Sequence, residues 1–133
     1  ISIHVRKGDF LFKQNNNHNT NLKEYYFKAI NESSNFLKKA KFFIFTDDST
    51  WVRENFNLNH HHTIVDVNHG KNSFLDMYLM SLCQINIIAN SSFSWWGAWL
   101  NNNKDKIIYA PKNWFNDKLI CTDDLFPKSW IVI

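Results

Sequence analysis

The stretch Ile85-Asn86-Ile87-Ile88-Ala89-Asn90-Ser91-Ser92-Phe93-Ser94-Trp95-Trp96-Gly97-Ala98-Trp99 decides the fold class, because it runs from a short apolar strand through a polar turn into a helix. Ile85 to Ala89 reads as the strand, and Phe93 to Leu100 as the helix. Upstream, a helix over Phe74 to Leu82 is preceded by a strand at Thr63 to Val67 and a short helix at about Thr50 to Phe56. Further back come a strand at Phe42 to Phe45, a helix at Leu22 to Lys39 with Tyr26, Ile30 and Leu37 on one face, and an opening strand at Ile1 to Val5. Downstream, Lys106 to Tyr109 makes a last strand that Pro111 stops, and Lys112 to Ile133 reads as loop with aromatic anchors. Strands and helices thus alternate, and the strands are apolar throughout, as a parallel sheet covered on both faces requires. The expectation is an α/β fold, one domain long.

Bulk composition supports a folded chain and narrows its partners. The 133 residues are 44% hydrophobic, with 12 Phe and 6 Trp, and no apolar run reaches the length of a membrane span. Fifteen basic residues against 12 acidic give +3, a mild excess that suits a phosphorylated small molecule and lacks the basic stripe expected for nucleic acid. Cys83 and Cys121 lie far apart and match neither a metal clip nor a disulfide scaffold. The opening residues resemble no signal peptide and begin without Met inside a strand pattern, so a cytoplasmic piece of a longer protein is expected. Two Asn- and His-rich loops, residues 14–21 and 57–62, are too short to be linkers, and no internal repeat is evident.

Two segments concentrate groups that bind anions. In His4-Val5-Arg6-Lys7-Gly8-Asp9-Phe10 a strand ends in charged and hydrogen-bonding side chains, and in a parallel sheet the carboxyl ends of strands face the ligand crevice. Arg6 could grip a phosphate bidentately with Lys7 beside it; an Arg6–Asp9 ion pair in a solvated turn is the alternative. At Asn90, Ser91 and Ser92 the first amides of a helix and two hydroxyls form a ready anion site, against the alternative that these residues merely cap the helix. Asp76, inside the apolar run Phe74-Leu75-Asp76-Met77-Tyr78, needs a partner. Either it accepts N–H bonds from a base such as guanine, or it completes a capping box with Ser73.

Other candidates read more plainly. Asp47 and Asp48 lie at the same sheet edge, where one is expected to cap the next helix and metal binding is the lesser option. His60-His61-His62 read as a solvated loop, since consecutive side chains rarely converge on one ion. Trp95 and Trp99 share a helix face and are expected to pack beneath it, with Gly97 allowing close approach of a neighbouring element.

Three ordered segments resemble the alpha-1,2-fucosyltransferases, chiefly bacterial ones, over nearly the whole chain. His4 to Phe10 is similar to that family's His-x-Arg-Arg-Gly-Asp-Tyr motif, Phe43-Ile44-Phe45-Thr46-Asp47-Asp48 to its Phe-x-Phe-Ser-Asp-Asp segment, and Met77 to Leu100 to its longest motif. The resemblance implies a Rossmann-like sheet flanked by helices, forming the C-terminal, donor-binding half of a GT-B glycosyltransferase. It also implies GDP-fucose as donor, a galactose-containing glycan as acceptor, no metal or other cofactor, and peripheral contact with membranes. By the same resemblance Arg6 binds the β-phosphate, His4 and Asp76 contact the guanine or nearby donor atoms, and Ser91 or Ser92 donates to the pyrophosphate. The resulting substrate-binding set is His4, Arg6, Lys7, Asp76, Asn90, Ser91 and Ser92, and the catalytic set is Arg6 with Asp9 as the base.

The chain departs from the family pattern at Lys7 and Phe10, where Arg and Tyr are commoner; Lys keeps the charge without the planar fork. The family's N-terminal half, with its Gly-Gly-Leu-Gly-Asn-Gln opening and most of the acceptor site, is absent from the sequence. A non-catalytic GDP-sugar-binding module, or an inactive fragment, is therefore the alternative function.

Overall fold

The computed structural model describes residues 1–7, 22–37 and 39–133. Six strands, β1 (Ser2–Val5), β2 (Phe42–Thr46), β3 (His62–Val65), β4 (Ile85–Ile87), β5 (Ile107–Ala110) and β6 (Ile131–Val132), form one sheet in the order β3-β2-β1-β4-β5-β6. Every pairing is parallel, with Ile3 opposite Ile44 on one side and Ile87 on the other. The helices are α1 (Lys23–Phe36), α2 (Ser49–Asn55), α3 (Phe74–Ser81) and α4 (Ser92–Trp99), with a short 3-10 turn at Gly70–Asn72. This is the expected Rossmann-like α/β architecture.

The pleat explains both faces. Successive strand residues point to opposite sides, so Ile3 and Val5 join Phe42, Ile44, Ile85 and Ile87 beneath Tyr25, Tyr26, Ala29 and Ile30 of α1 and Val52 of α2. On the other side Ile88, Ile108 and Ala110 pack with Ala98 of α4 and with Trp114 and Trp130 from the tail. The path β1, β2, β3 runs outward to one edge, and α3 then returns the chain to the far side of β1. Strand order therefore reverses between β1 and β4, and the loops leaving those two strands diverge to open a crevice at their carboxyl ends.

Buried polar groups are tied off in this scaffold. Asn86 Nδ2 donates to Ser2 Oγ at 2.7 Å and to the Met80 carbonyl at 2.6 Å, while its Oδ1 accepts from Asn101 Nδ2 at 2.7 Å. That network locks β1, β4 and the ends of α3 and α4 together. Tyr25 donates to the Ile88 and Tyr109 carbonyls at the end of β4 and β5, each at 2.8 Å.

The tail differs from the sequence reading. Lys112 to Ile133 does not remain loop throughout: Ile131–Val132 pairs with Tyr109 and Ala110 as β6. Two residues are too few for periodicity to announce a strand, and tertiary anchoring by Trp130 brings them to the sheet edge. Helix α1 is shorter than expected, ending at Phe36 with Leu37 extended (φ −128°, ψ 93°). Ser33 and Ser34 there donate their hydroxyls to the Ala29 and Ile30 carbonyls, a pairing that weakens helix ends. Among the described residues no helix is long and apolar enough to cross a membrane.

Candidate donor-binding site

At the crevice between β1 and β4 lies a cleft of ≈ 490 Å³ lined by His4, Arg6, Asp47, Asp76, Ser91 and Ser92, with the loop around Gly70 and the ring of Phe93 completing its walls. Another cavity, ≈ 530 Å³, lies between α3 and the end of α4, but its lining is mainly apolar and holds none of the ionisable candidates. Charge and hydrogen-bonding capacity, more than size, single out the first.

Arg6 leaves the end of β1 and is held from β2. Its Nε lies 3.2 Å from Asp47 Oδ2, and Asp47 Oδ1 accepts the Lys7 amide at 2.8 Å. The two strands are in register through Val5 and Thr46, so one carboxylate secures two successive residues of the neighbouring strand end. The alternative of an Arg6–Asp9 ion pair falls on Asp9, which lies outside the described residues; among those described, Asp47 pairs with Arg6. Asp48 accepts the Trp51 amide at 2.9 Å and caps α2, as expected for one of this pair.

His4 forms the floor. It is 3% exposed, its ring lies 5.6 Å from that of Phe93, and its carbonyl accepts the Tyr26 hydroxyl at 2.8 Å. Nδ1 has no hydrogen-bond partner among the described residues. Burial, reinforced by the Arg6 charge, lowers its pKa to about 3, so the ring is neutral at working pH and one nitrogen accepts.

At the same cleft, α4 begins at Ser92 with Ser91 extended as its cap residue, yet no Ser91 side-chain bond closes the helix end. Ser94 takes over the local bonding instead, accepting the Ala89 amide at 3.2 Å and donating to the Ser91 carbonyl at 3.3 Å. The first-turn amides have no intrahelical carbonyl to meet, and the dipole adds roughly half a positive charge at this end. Arg6, partly balanced by Asp47, and this helix start give the cleft the charge and N–H donors that suit an anion.

Asp76 sits in the first turn of α3. The capping-box alternative does not form, since Ser73 is helical (φ −59°, ψ −26°) and makes no side-chain cap bond. Instead Asn68 Nδ2 donates to Asp76 Oδ1 at 2.6 Å. Partial burial raises the Asp76 pKa, opposed by that bond and by His69.

The cleft thus gathers His4, Arg6, Asp76, Ser91 and Ser92, and two further candidates face elsewhere. Lys7 Nζ lies 4.3 Å over the Trp51 ring, beside a separate hollow. Asn90 is buried and donates through Nδ2 to the Trp114 carbonyl at 3.0 Å, tying the turn to the tail. Asn68 is a contributor that the sequence does not single out, and Asp47, expected at the ligand edge, lines the cleft as the partner of Arg6. The Asn68-His69-Gly70 turn signature before Ser73 was the signal for the first. His60, His61 and His62 are exposed, as expected, and His62 Nδ1 lies 2.8 Å from the His60 carbonyl, but His62 opens β3 and does not belong to the loop.

The profile described as "Glycosyl transferase family 11" matches residues 1–133. Two Escherichia coli proteins are similar: "O-antigen biosynthesis glycosyltransferase WbnK", 38% identical over 98% of this chain and 43% of its own, and "Alpha-1,2-colitosyltransferase", 35% identical over 100% and 47%. The chain spans a little under half the length of these curated relatives. No solved structure matches it.

Proposed function

Because the chain belongs to glycosyl transferase family 11, we propose that it is the donor-binding part of an inverting, metal-independent transferase of GT-B type. The reaction is transfer of L-fucose from GDP-fucose to the 2-hydroxyl of a galactoside. The carrying observation is that the β1 end bearing Arg6 and the α4 start at Ser91 and Ser92 open into one cleft, with Asp76 on its rim. A diphosphate between the first two leaves the base to the third.

In this reading the bond from the anomeric carbon to the β-phosphate oxygen breaks as an oxocarbenium-like sugar develops, and the acceptor oxygen enters from the opposite face. Negative charge grows on the departing GDP. Arg6, oriented by Asp47, and the α4 amides stabilise it without reorganising, which is where preorganised electrostatics are worth most. Neutral His4 lines the cleft and presents an uncharged imidazole to the donor. Asp9, outside those residues, takes the acceptor proton. The acceptor-side domain belongs to the longer protein, which we assign to the cytoplasm, in peripheral contact with the membrane.

A second donor has a specific observation in its favour: a relative named for colitose transfer. Colitose is 3-deoxyfucose, so the same GDP cradle serves both, and competition between the two GDP-sugars in a transfer assay separates them.

The test is Arg6→Ala in the full-length protein. We expect transfer to fall by about 10²–10³-fold, the scale for losing one transition-state donor, with the fold retained and thermal unfolding lowered only modestly by loss of the partly exposed Arg6–Asp47 pair. Turnover near wild type removes Arg6 from the mechanism. GDP binding without transfer by the full-length protein favours the non-catalytic module.

A further inference from the structure

Asn68 plays no part in the reading above, yet it makes the shortest polar contact in the cleft that involves a base-recognising candidate. The loop after β3 carries it there. Gly70 adopts φ 57°, a left-handed conformation that side chains rarely take, and begins the 3-10 turn leading into α3. That reversal folds Asn68 back over the first turn of α3, where its Nδ2 meets Asp76 Oδ1 at 2.6 Å. Both residues line the cleft.

We propose that Asn68 is the positioning residue for base recognition: by holding Asp76 through one oxygen it aims the carboxylate's remaining lone pairs into the cleft, in register with two adjacent N–H donors. This rests on the donor reading above. Among the common bases only guanine presents such a pair on its pairing edge, N1–H beside the 2-amino group. A carboxylate free to rotate gives up that register; one pinned at Oδ1 keeps Oδ2 and one Oδ1 lone pair at a fixed spacing.

The same bond sets the ionisation that recognition needs. An amide N–H stabilises the carboxylate and not the protonated acid, so Asn68 opposes the upward push of burial on Asp76. The other charged or titratable groups around Asp76 are His69 and Asp66 on the preceding loop, His4 on β1, Arg6 just after it, and Asp47 just after β2. Asn68 is the group that reaches Asp76 through a hydrogen bond, at 2.6 Å. Guanine binding should therefore fail on the acid side as Asp76 takes a proton. Without Asn68 that limb moves to higher pH.

The experiment is calorimetric titration of the full-length protein with GDP, inosine diphosphate and ADP between pH 5 and 8. For Asn68→Ala we expect GDP affinity at pH 7.5 to fall by about tenfold, the scale for one hydrogen bond to a charged group. The preference for GDP over inosine diphosphate should shrink, the acid limb should move up in pH, and KM for the donor should rise with kcat nearly kept. Asn68→Ser, which keeps a donor, should recover part of each effect. If both variants bind all three nucleotides like wild type with an unmoved pH profile, the positioning role is overturned. Asp76→Asn run alongside separates the two levels. If that variant still prefers GDP, the assignment of the base to Asp76 fails and the Asn68 proposal with it. If it loses the preference while Asn68→Ala keeps it, the Asn68 proposal alone fails.

Discussion

His4 and Asp76 are titratable groups in one cleft whose pKa values burial moves in opposite directions, each toward its neutral form, and His4 leaves the clearer mark on stability. Its pKa, lowered to about 3 by burial and by Arg6, compares with a value near 6.5 in the unfolded chain. Between those values the unfolded state binds a proton that the native state does not, so stability falls as pH drops from about 6.5 toward 3 and is untouched above that window. We expect the urea midpoint of the wild type to drop between pH 7.5 and 5, and that of His4→Gln, which cannot titrate, to drop less. An identical acid loss in both would mean that His4 is not the group responsible. At this scale the sequence was legible where a physical penalty or a sheet rule applied: a carboxylate at position 76 inside an apolar run, and His4 and Arg6 at a strand end. It was not legible where side-chain direction depends on distant elements. Lys7 turns to Trp51 on α2, Asn90 turns to the tail at Trp114, and the partners of Arg6 and Asp76 come from another strand and from a loop.

Helices α3 and α4 both line the cleft, through Asp76 and through Ser92 and Phe93, so the closeness of their packing matters to the site. Gly97 sets that closeness: a Cβ there would lie 3.3 Å from Met80 Cβ and 3.4 Å from the Met77 carbonyl. Alanine gains up to about 1 kcal/mol of helix propensity over glycine, against a contact tighter than most, so Gly97→Ala should stay near wild type. Gly97→Val adds branches that must displace the α3 backbone carbonyl, and it should lose about 1–3 kcal/mol, the range for overpacking. Urea denaturation of both variants checks the ordering, and a valine variant as stable as wild type would show slack between the helices. The need for a small residue here was readable from a glycine among tryptophans. Element ends were less so: β3 begins one residue earlier and ends two residues earlier than its apolar pattern indicates, and α4 begins one residue earlier. Capping geometry and strand pairing settle those ends, and neither has a period to detect. The same limit hid β6, whose two residues are held by Trp130 and the exposed edge of β5.

Across the whole molecule one sheet supports two cores, and the smaller of them underlies the α4 start at the cleft. Trp130 is 7% exposed, with ring centroids 5.5 Å from Trp95 and 6.2 Å from Phe126, and Trp95 Nε1 donates to the Leu125 carbonyl at 2.8 Å. The tail therefore grips α4 by its tryptophans, just behind the first-turn amides at Ser92 and Phe93. The prevalence of α/β alternation predicted the sheet, but which aromatic meets which is a property of the closed fold, so the sequence marked these rings as packing without naming their partners. Trp130→Ala should cost about 3–5 kcal/mol, the usual range for emptying a tryptophan site, and should also weaken GDP binding, because a loosened helix start no longer presents its amides at fixed spacing. Stability alone would not show that link. In the wild type, saturating GDP raises the unfolding free energy by RT ln(1 + [L]/Kd), about 2.7 kcal/mol at a hundred times Kd. The variant should show a smaller increment at the same GDP concentration. A full increment on a destabilised background would separate the tail from the site and leave Trp130 as core alone.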